Sequence, residues 1–183
     1  MKHLLKYLLA VAAVPLWGQA AAAGPFDALR ALCEPGKSVL LTAPAVVEGV
    51  VVSDYRSPNM ELNPNLNYYS VDLEENDRTA YVQAADGSCG IRLRFDEASE
   101  NRLARYDRVR LDLAGCRLTR TASPDCMTLT GVQALNVVSV TPGTPADVPA
   151  KERTVATLTD GDLYTFVTLR DAEFVFKEGS YTN

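Results

Sequence analysis

The chain has 183 residues, of which 47% are hydrophobic and 22% charged, with a net charge of −5. That composition is ordinary for a folded globular protein and excludes a disordered one. An acidic balance also argues against a generic polyanion binder, because non-specific nucleic-acid affinity comes mostly from Lys and Arg neutralising phosphate.

Residues 1–23 have the plan of a secretory signal peptide. Lys2 and Lys6 give a basic start, residues 7–16 an apolar run too short to span a bilayer, and Ala20-Ala21-Ala22-Ala23-Gly24 a small-residue cleavage tract. Cleavage near Ala23 predicts an exported protein: periplasmic, at the cell surface or secreted. It would also remove His3, the only histidine, and with it any Ser-His-Asp or Cys-His catalysis and any His-ligated zinc. Without Lys2 and Lys6, 16 basic residues face 23 acidic ones, a net charge of −7. About 160 residues then remain, enough for one domain with a real core.

Residues 24–43 read as an N-terminal segment with a short helix over 25–32, stopped at Cys33-Glu34-Pro35-Gly36. Residues 45–53 read as a strand rich in β-branched side chains, with Gly49 marking a bulge or bend. A long connection, 57–78, carries five asparagines and two prolines. Residues 79–85 and 88–95 then form a predicted β-hairpin about Asp86-Gly87, which suits a type I′ turn. The register pairs Thr79 with Arg94, Ala80 with Leu93, Tyr81 with Arg92 and Val82 with Ile91. One face is then apolar and the other polar.

Asp96 is placed to cap a short helix through about Tyr106. Residues 107–115 alternate Val109, Leu111 and Leu113 inward with Arg108, Arg110 and Asp112 outward. After a loop at Ser123-Pro124, residues 127–140 read as one long last strand. The result is an all-β chain with a short helix. Strand, two-stranded hairpin, helix and two strands is the order of a five-stranded OB-like Greek-key barrel over residues 44–141, with a plain antiparallel sandwich as the alternative. Residues 142–155 read as a Pro-rich linker. Residues 156–183, with a strand over 163–176, read as the start of a second, incomplete module. It either packs back onto the first domain or belongs to a longer protein.

Residues 47–54, the hairpin 79–93 and residues 106–115 resemble strands of a known family. It is the OB-like domain of unknown function found in exported and surface proteins of Bacteroidota. The resemblance spans about residues 46–140, and residues 163–176 resemble the start of a second copy. It implies an OB-like fold and no catalytic residues. Many relatives are lipoproteins, whereas this chain lacks a lipobox cysteine.

Four cysteines, Cys33, Cys89, Cys116 and Cys126, stand in an exported chain without C-x-x-C spacing, which points to disulfides rather than metal. Cys116 and Cys126 share outward parity across the last hairpin, predicting one bridge. Cys89 falls on the core face and is paired with Cys33. The ligand face of an OB-fold would here present Tyr81, Gln83, Arg92 and Arg94, an aromatic ring beside guanidiniums, able to stack a nucleobase or a sugar. Between Arg92 and Arg120, eight arginines face five acids. A solvated sheet face with a Tyr-Arg cross-strand pair accounts for the same residues. Asp72, Glu74, Glu75 and Asp77 lack an EF-hand pattern and read as a solvated acidic loop, and Tyr68-Tyr69 as packing of that loop onto the barrel.

No metal, cofactor or catalytic residue is predicted. The leading expectation is a non-catalytic exported module, a binding or structural part of a cell-envelope protein with other envelope proteins as partners. The second is a binder of single-stranded nucleic acid or oligosaccharide, attached to a secreted nuclease. A carboxylate-only metal hydrolase ranks third and has no supporting signature.

Overall fold

The computed structural model describes residues 26–56 and 73–172. The predicted signal peptide, Asp72, Tyr68-Tyr69 and the end of the predicted strand over 163–176 lie outside the described residues.

Among the described residues, ten strands and two short α-helices follow in chain order: α1 (Phe26–Ala31), β1 (Lys37–Leu40), β2 (Val46–Val51), α2 (Leu73–Asp77), β3 (Thr79–Ala84), β4 (Gly90–Phe95), β5 (Arg108–Asp112), β6 (Arg117–Arg120), β7 (Met127–Val132), β8 (Val137–Thr141), β9 (Lys151–Arg153) and β10 (Val167–Leu169). The fold is mostly β. Eight strands make one mixed sheet in the order β1-β6-β7-β4-β3-β2-β5-β8, and β9 and β10 make a separate parallel pair. Within the large sheet only β4 and β7 run parallel.

This replaces the five-stranded closed barrel read from the sequence. The reason lies in two four-residue strands, β1 and β6, that pair with each other across 80 residues of chain. The run beginning at Arg108 ends at Asp112, turns through a hydrogen bond from Cys116 N to Leu113 O, and restarts as β6. β6 then lies between β1 and β7. The long last strand is likewise divided: Gly131 takes a φ of +75° and a 3₁₀ turn over Ala134–Asn136 separates β7 from β8. Backbone bonds from Leu41 N to Cys116 O and from Gly115 N to Leu41 O tie the β1–β2 junction to the β5–β6 junction.

The β3–β4 hairpin has the predicted register, with Thr79↔Arg94, Ala80↔Leu93, Tyr81↔Arg92 and Val82↔Ile91. The turn is not type I′, because Gly87 alone has a positive φ, +73°. Gly87 N donates to Ala84 O at 2.8 Å, and Ser88 N donates to the Asp86 carboxylate at 2.9 Å, so a local Asx contact shapes a longer loop. The apolar parity holds: Val82, Ile91, Leu93, Leu111, Leu118 and Leu129 are fully buried. Each such side chain contributes roughly 1.5–3 kcal/mol of transfer free energy. Phe26 and Leu29 of α1 complete this core. Arg30 pairs with Asp125 at 2.8 Å, and Arg120 binds Asp125 as well as the carbonyls of Arg30 and Cys33.

The helix predicted from Asp96 to Tyr106 shrinks to a 3₁₀ turn over Ala98–Glu100, capped by Glu97 without a side-chain bond. Asp96 instead accepts from Gln133 Nε2 at 3.2 Å. Buried Asn101 donates to Asp77 O at 2.8 Å and Thr79 O at 3.1 Å, which draws the chain off a helical path. Beyond it, Tyr106 adopts a left-handed φ of 76°.

The four cysteines are free and buried, so neither predicted disulfide is present. Cys116 points inward, not outward, and is fully buried. The β6–β7 register pairs Arg117 with Thr130 and Arg120 with Met127. Cys116 therefore lies at the Gly131 end of the hairpin and Cys126 at the Thr121 end, with Sγ contacts of 3.7 and 3.1 Å to those residues. At ~3.3 Å per residue the two lie roughly 16 Å apart, well past the reach of a disulfide. Cys89 is buried, as its parity predicts, but its sulfur neighbours Ser88, while that of Cys33 lies 3.2 Å from Lys37 O.

Candidate functional site: the outward face of β3 and β4

Alternation along β3 and β4 sends Thr79, Tyr81 and Gln83 outward beside Gly90, Arg92 and Arg94. The four predicted site residues therefore share one surface, as expected. That surface is not open. Residues 145–169, a set of 3₁₀ turns joined by the parallel β9–β10 ladder, pack back across it, and α2 covers its other end.

Tyr81 stacks on Tyr164, with ring centroids 5.0 Å apart and planes within 6°. Gln83 is completely buried. Its Nε2 donates to Pro149 O at 3.2 Å and its Oε1 accepts from Phe166 N at 2.8 Å. The side-chain amide thus sits at the mouth of the β9–β10 ladder, where Lys151 N donates to Phe166 O. Arg92 donates to Glu75 Oε1 at 2.5 Å and to Thr79 Oγ1, and Arg94 Nε donates to both Glu75 oxygens at 2.9 and 3.0 Å. These three side chains are about one-third exposed, so the ion pairs are worth modest energy and serve chiefly to place α2.

Gly90 is the steric key. A Cβ built on it would lie 2.2 Å from the Tyr164 carbonyl oxygen, so the tail backbone rests directly on this glycine. Tyr164 itself has a left-handed φ of 59°, uncommon for a bulky residue. Burial, reinforced by a contact with Cys126 Sγ, pushes its hydroxyl up to about 12.

Two cavities flank Tyr81. One of ≈ 260 Å³ is lined by Ser53, Asp54, Glu75 and Arg92, and one of ≈ 390 Å³ by Val52, Arg105, Tyr164 and Phe166. A larger cavity of ≈ 620 Å³ lies over β2 and β5, where Arg110 pairs with Glu48 and Arg108 with Asp147.

Sequence reasoning missed Glu75, Gly90, Tyr164 and Phe166. Glu75 is not a solvated loop residue but an α2 side chain bonded to two arginines. The signal for the tail contact was present in Gly90, a side-chain-free position on the outward face of a strand. Among the described residues no group of His, Cys, Asp and Glu could hold a metal ion, and no helix is long and apolar enough to cross a membrane. The chain matches no protein-family model, no curated protein and no solved structure.

Proposed function

We propose that this chain is a non-catalytic exported module of OB-like type, serving as a structural or protein-binding part of a cell-envelope protein. The observation that carries this reading is internal satisfaction of the predicted ligand face. Tyr81, Gln83, Arg92 and Arg94 each have a partner within the chain: Tyr164, the Pro149 and Phe166 backbone, and Glu75. A face built to take nucleic acid or sugar would keep its ring and guanidiniums available.

The OB-like part of the reading rests on the connectivity of five strands within the open eight-stranded sheet. β2, β3 and β4 form a meander, β2 pairs antiparallel with β5, and β4 pairs parallel with β7. The edge strands β1 and β8, with β6, then count as extensions of that plan. Export rests on the leader sequence.

The test is a titration of the purified exported chain, its N-terminus sequenced, against short oligothymidylates and acidic oligosaccharides at low salt. The expected outcome is a start at Gly24 and no binding to either class. Binding that Tyr81→Ala weakens by about 1–3 kcal/mol would favour the nucleic-acid or sugar reading instead.

A further inference from the structure

We propose that the groove centred on Tyr81, Gln83 and Gly90 is a docking site for a turned peptide segment carrying an aromatic residue, occupied in cis by residues 164–166 of the same chain. The inference goes beyond the reading above and depends neither on export nor on barrel closure.

The contacts are those of peptide recognition. The groove reads backbone: Gln83 accepts from Phe166 N–H, and Gly90 admits the Tyr164 carbonyl to a distance that any side chain would block. It reads one side chain, the ring stacked on Tyr81. A turned segment with an aromatic residue two positions before a free N–H satisfies all three features. A nucleic acid would leave the buried Gln83 amide without its backbone partner.

The cis segment is also built to leave. It forms no ladder with the eight-stranded sheet, and its own strands pair only with each other. Asp162 holds Lys151 at 2.8 Å and Arg153 at 3.0 Å, stitching the tail to itself, while its polar ties to the rest of the chain include those to Gln83, Arg108 and Asp125. Four of its large apolar side chains, Val155, Leu158, Phe166 and Leu169, are 42–66% exposed, while Val148 is buried. A unit stitched internally, with these apolar side chains left at the surface, opens as a body below the free energy of global unfolding. The left-handed Tyr164 adds conformational cost to the docked state.

The test uses the full chain and a fluorescein-labelled synthetic peptide of residues 159–169. Tyr164→Ala loosens the cis segment but leaves the groove intact. This variant is expected to bind the peptide about tenfold or more tightly than wild type, by fluorescence anisotropy. Adding Gly90→Ala or Tyr81→Ala to Tyr164→Ala should weaken that binding by about tenfold or more. Gly90 has no left-handed φ, so alanine is tolerated by the backbone, and the Tyr81 variant decides the matter should the Gly90 variant fail to fold. In wild type, the Phe166 and Val167 amides should exchange about 100-fold faster than those of Leu93 and Leu129. Three outcomes would overturn the proposal: no peptide binding to Tyr164→Ala, binding indifferent to both groove substitutions, or tail and core amides exchanging together. Oligothymidylate binding to Tyr164→Ala in place of peptide would likewise overturn it and assign the groove to nucleic acid.

Discussion

Replacing Asn101 by Asp changes one atom and should loosen the support of the whole outward face. Asn101 is 2% exposed and lies against the junction of α2 and β3. Its Nδ2 donates to Asp77 O and Thr79 O at 2.8 and 3.1 Å, which holds α2 where Glu75 reaches Arg92 and Arg94. Aspartate puts an acceptor where the donor stood. Two hydrogen bonds are lost and two carbonyls face a buried carboxylate, a cost of roughly 2–4 kcal/mol. For a domain of this size that lowers Tm by about 5–15 °C. The loss should depend on pH in a defined direction. Burial against two carbonyl oxygens raises the folded-state pKa of the new carboxyl above its unfolded value of about 3.9. The folded chain then binds the proton more tightly than the unfolded chain. The variant is least destabilised below about pH 4 and loses stability as pH rises through the raised folded value. Thermal unfolding of Asn101→Asp and Asn101→Ala across about pH 3.5–8 isolates this effect, because every other carboxylate is common to both. Parallel Tm curves for the two variants would refute the argument.

Two further expectations concern the thiols and the tail. Cys116 is fully buried, and burial pushes its thiol up to about 11. Maleimide should therefore leave it unlabelled in the native chain at mildly alkaline pH, and should label all four cysteines in denaturant without reductant; fewer than four would reveal a disulfide. Asp162 loses solvation by burial, but hydrogen bonds from Arg153, Lys151 and Thr159 outweigh this and hold its carboxyl well below the usual range. A depressed folded pKa gives stability that is present above the unfolded value of about 3.9 and fades as pH falls below it. Asp162→Asn should reduce tail amide protection at neutral pH, and its deficit against wild type should narrow below about pH 4. A deficit that stays constant with pH would contradict this account.

The hairpin was legible because two local signals agreed, the Asp86-Gly87 turn and the alternation on either side of it. Their agreement fixed the register even though the turn conformation differed. β1 and β6 were not legible, since Lys37–Leu40 and Arg117–Arg120 are four residues each and draw their stability from one another at long range. The disulfide reading failed for a related reason. Spacing of ten residues between Cys116 and Cys126 says how long the connection is, not that the two stand at opposite ends of the hairpin it forms. Parity placed Tyr81, Gln83, Arg92 and Arg94 together but could not say what lies above them. A polar outward residue is equally consistent with water and with a second layer of the same chain, and for Gln83 the second layer is what exists.

The arginine-rich stretch shows how far charge along the sequence departs from charge in space. Between Arg92 and Arg120 the run has eight arginines and five acids, which suggested a positive patch. Folding distributes it. Arg92 and Arg94 meet Glu75, Arg108 meets Asp147, Arg110 meets Glu48 and Arg120 meets Asp125. Five of the eight are thus ion-paired, all with acids that lie outside the run, Glu48 and Glu75 on its N-terminal side and Asp125 and Asp147 beyond its C-terminal end. A polyanion gains affinity by releasing counterions from its phosphates, and the cations that do this must not already be neutralised. On this chain the carboxylates arrive first. What remains at the face is a stacked ring, a buried amide and a glycine, and those are features that select a peptide backbone with an aromatic side chain, not a charged polymer.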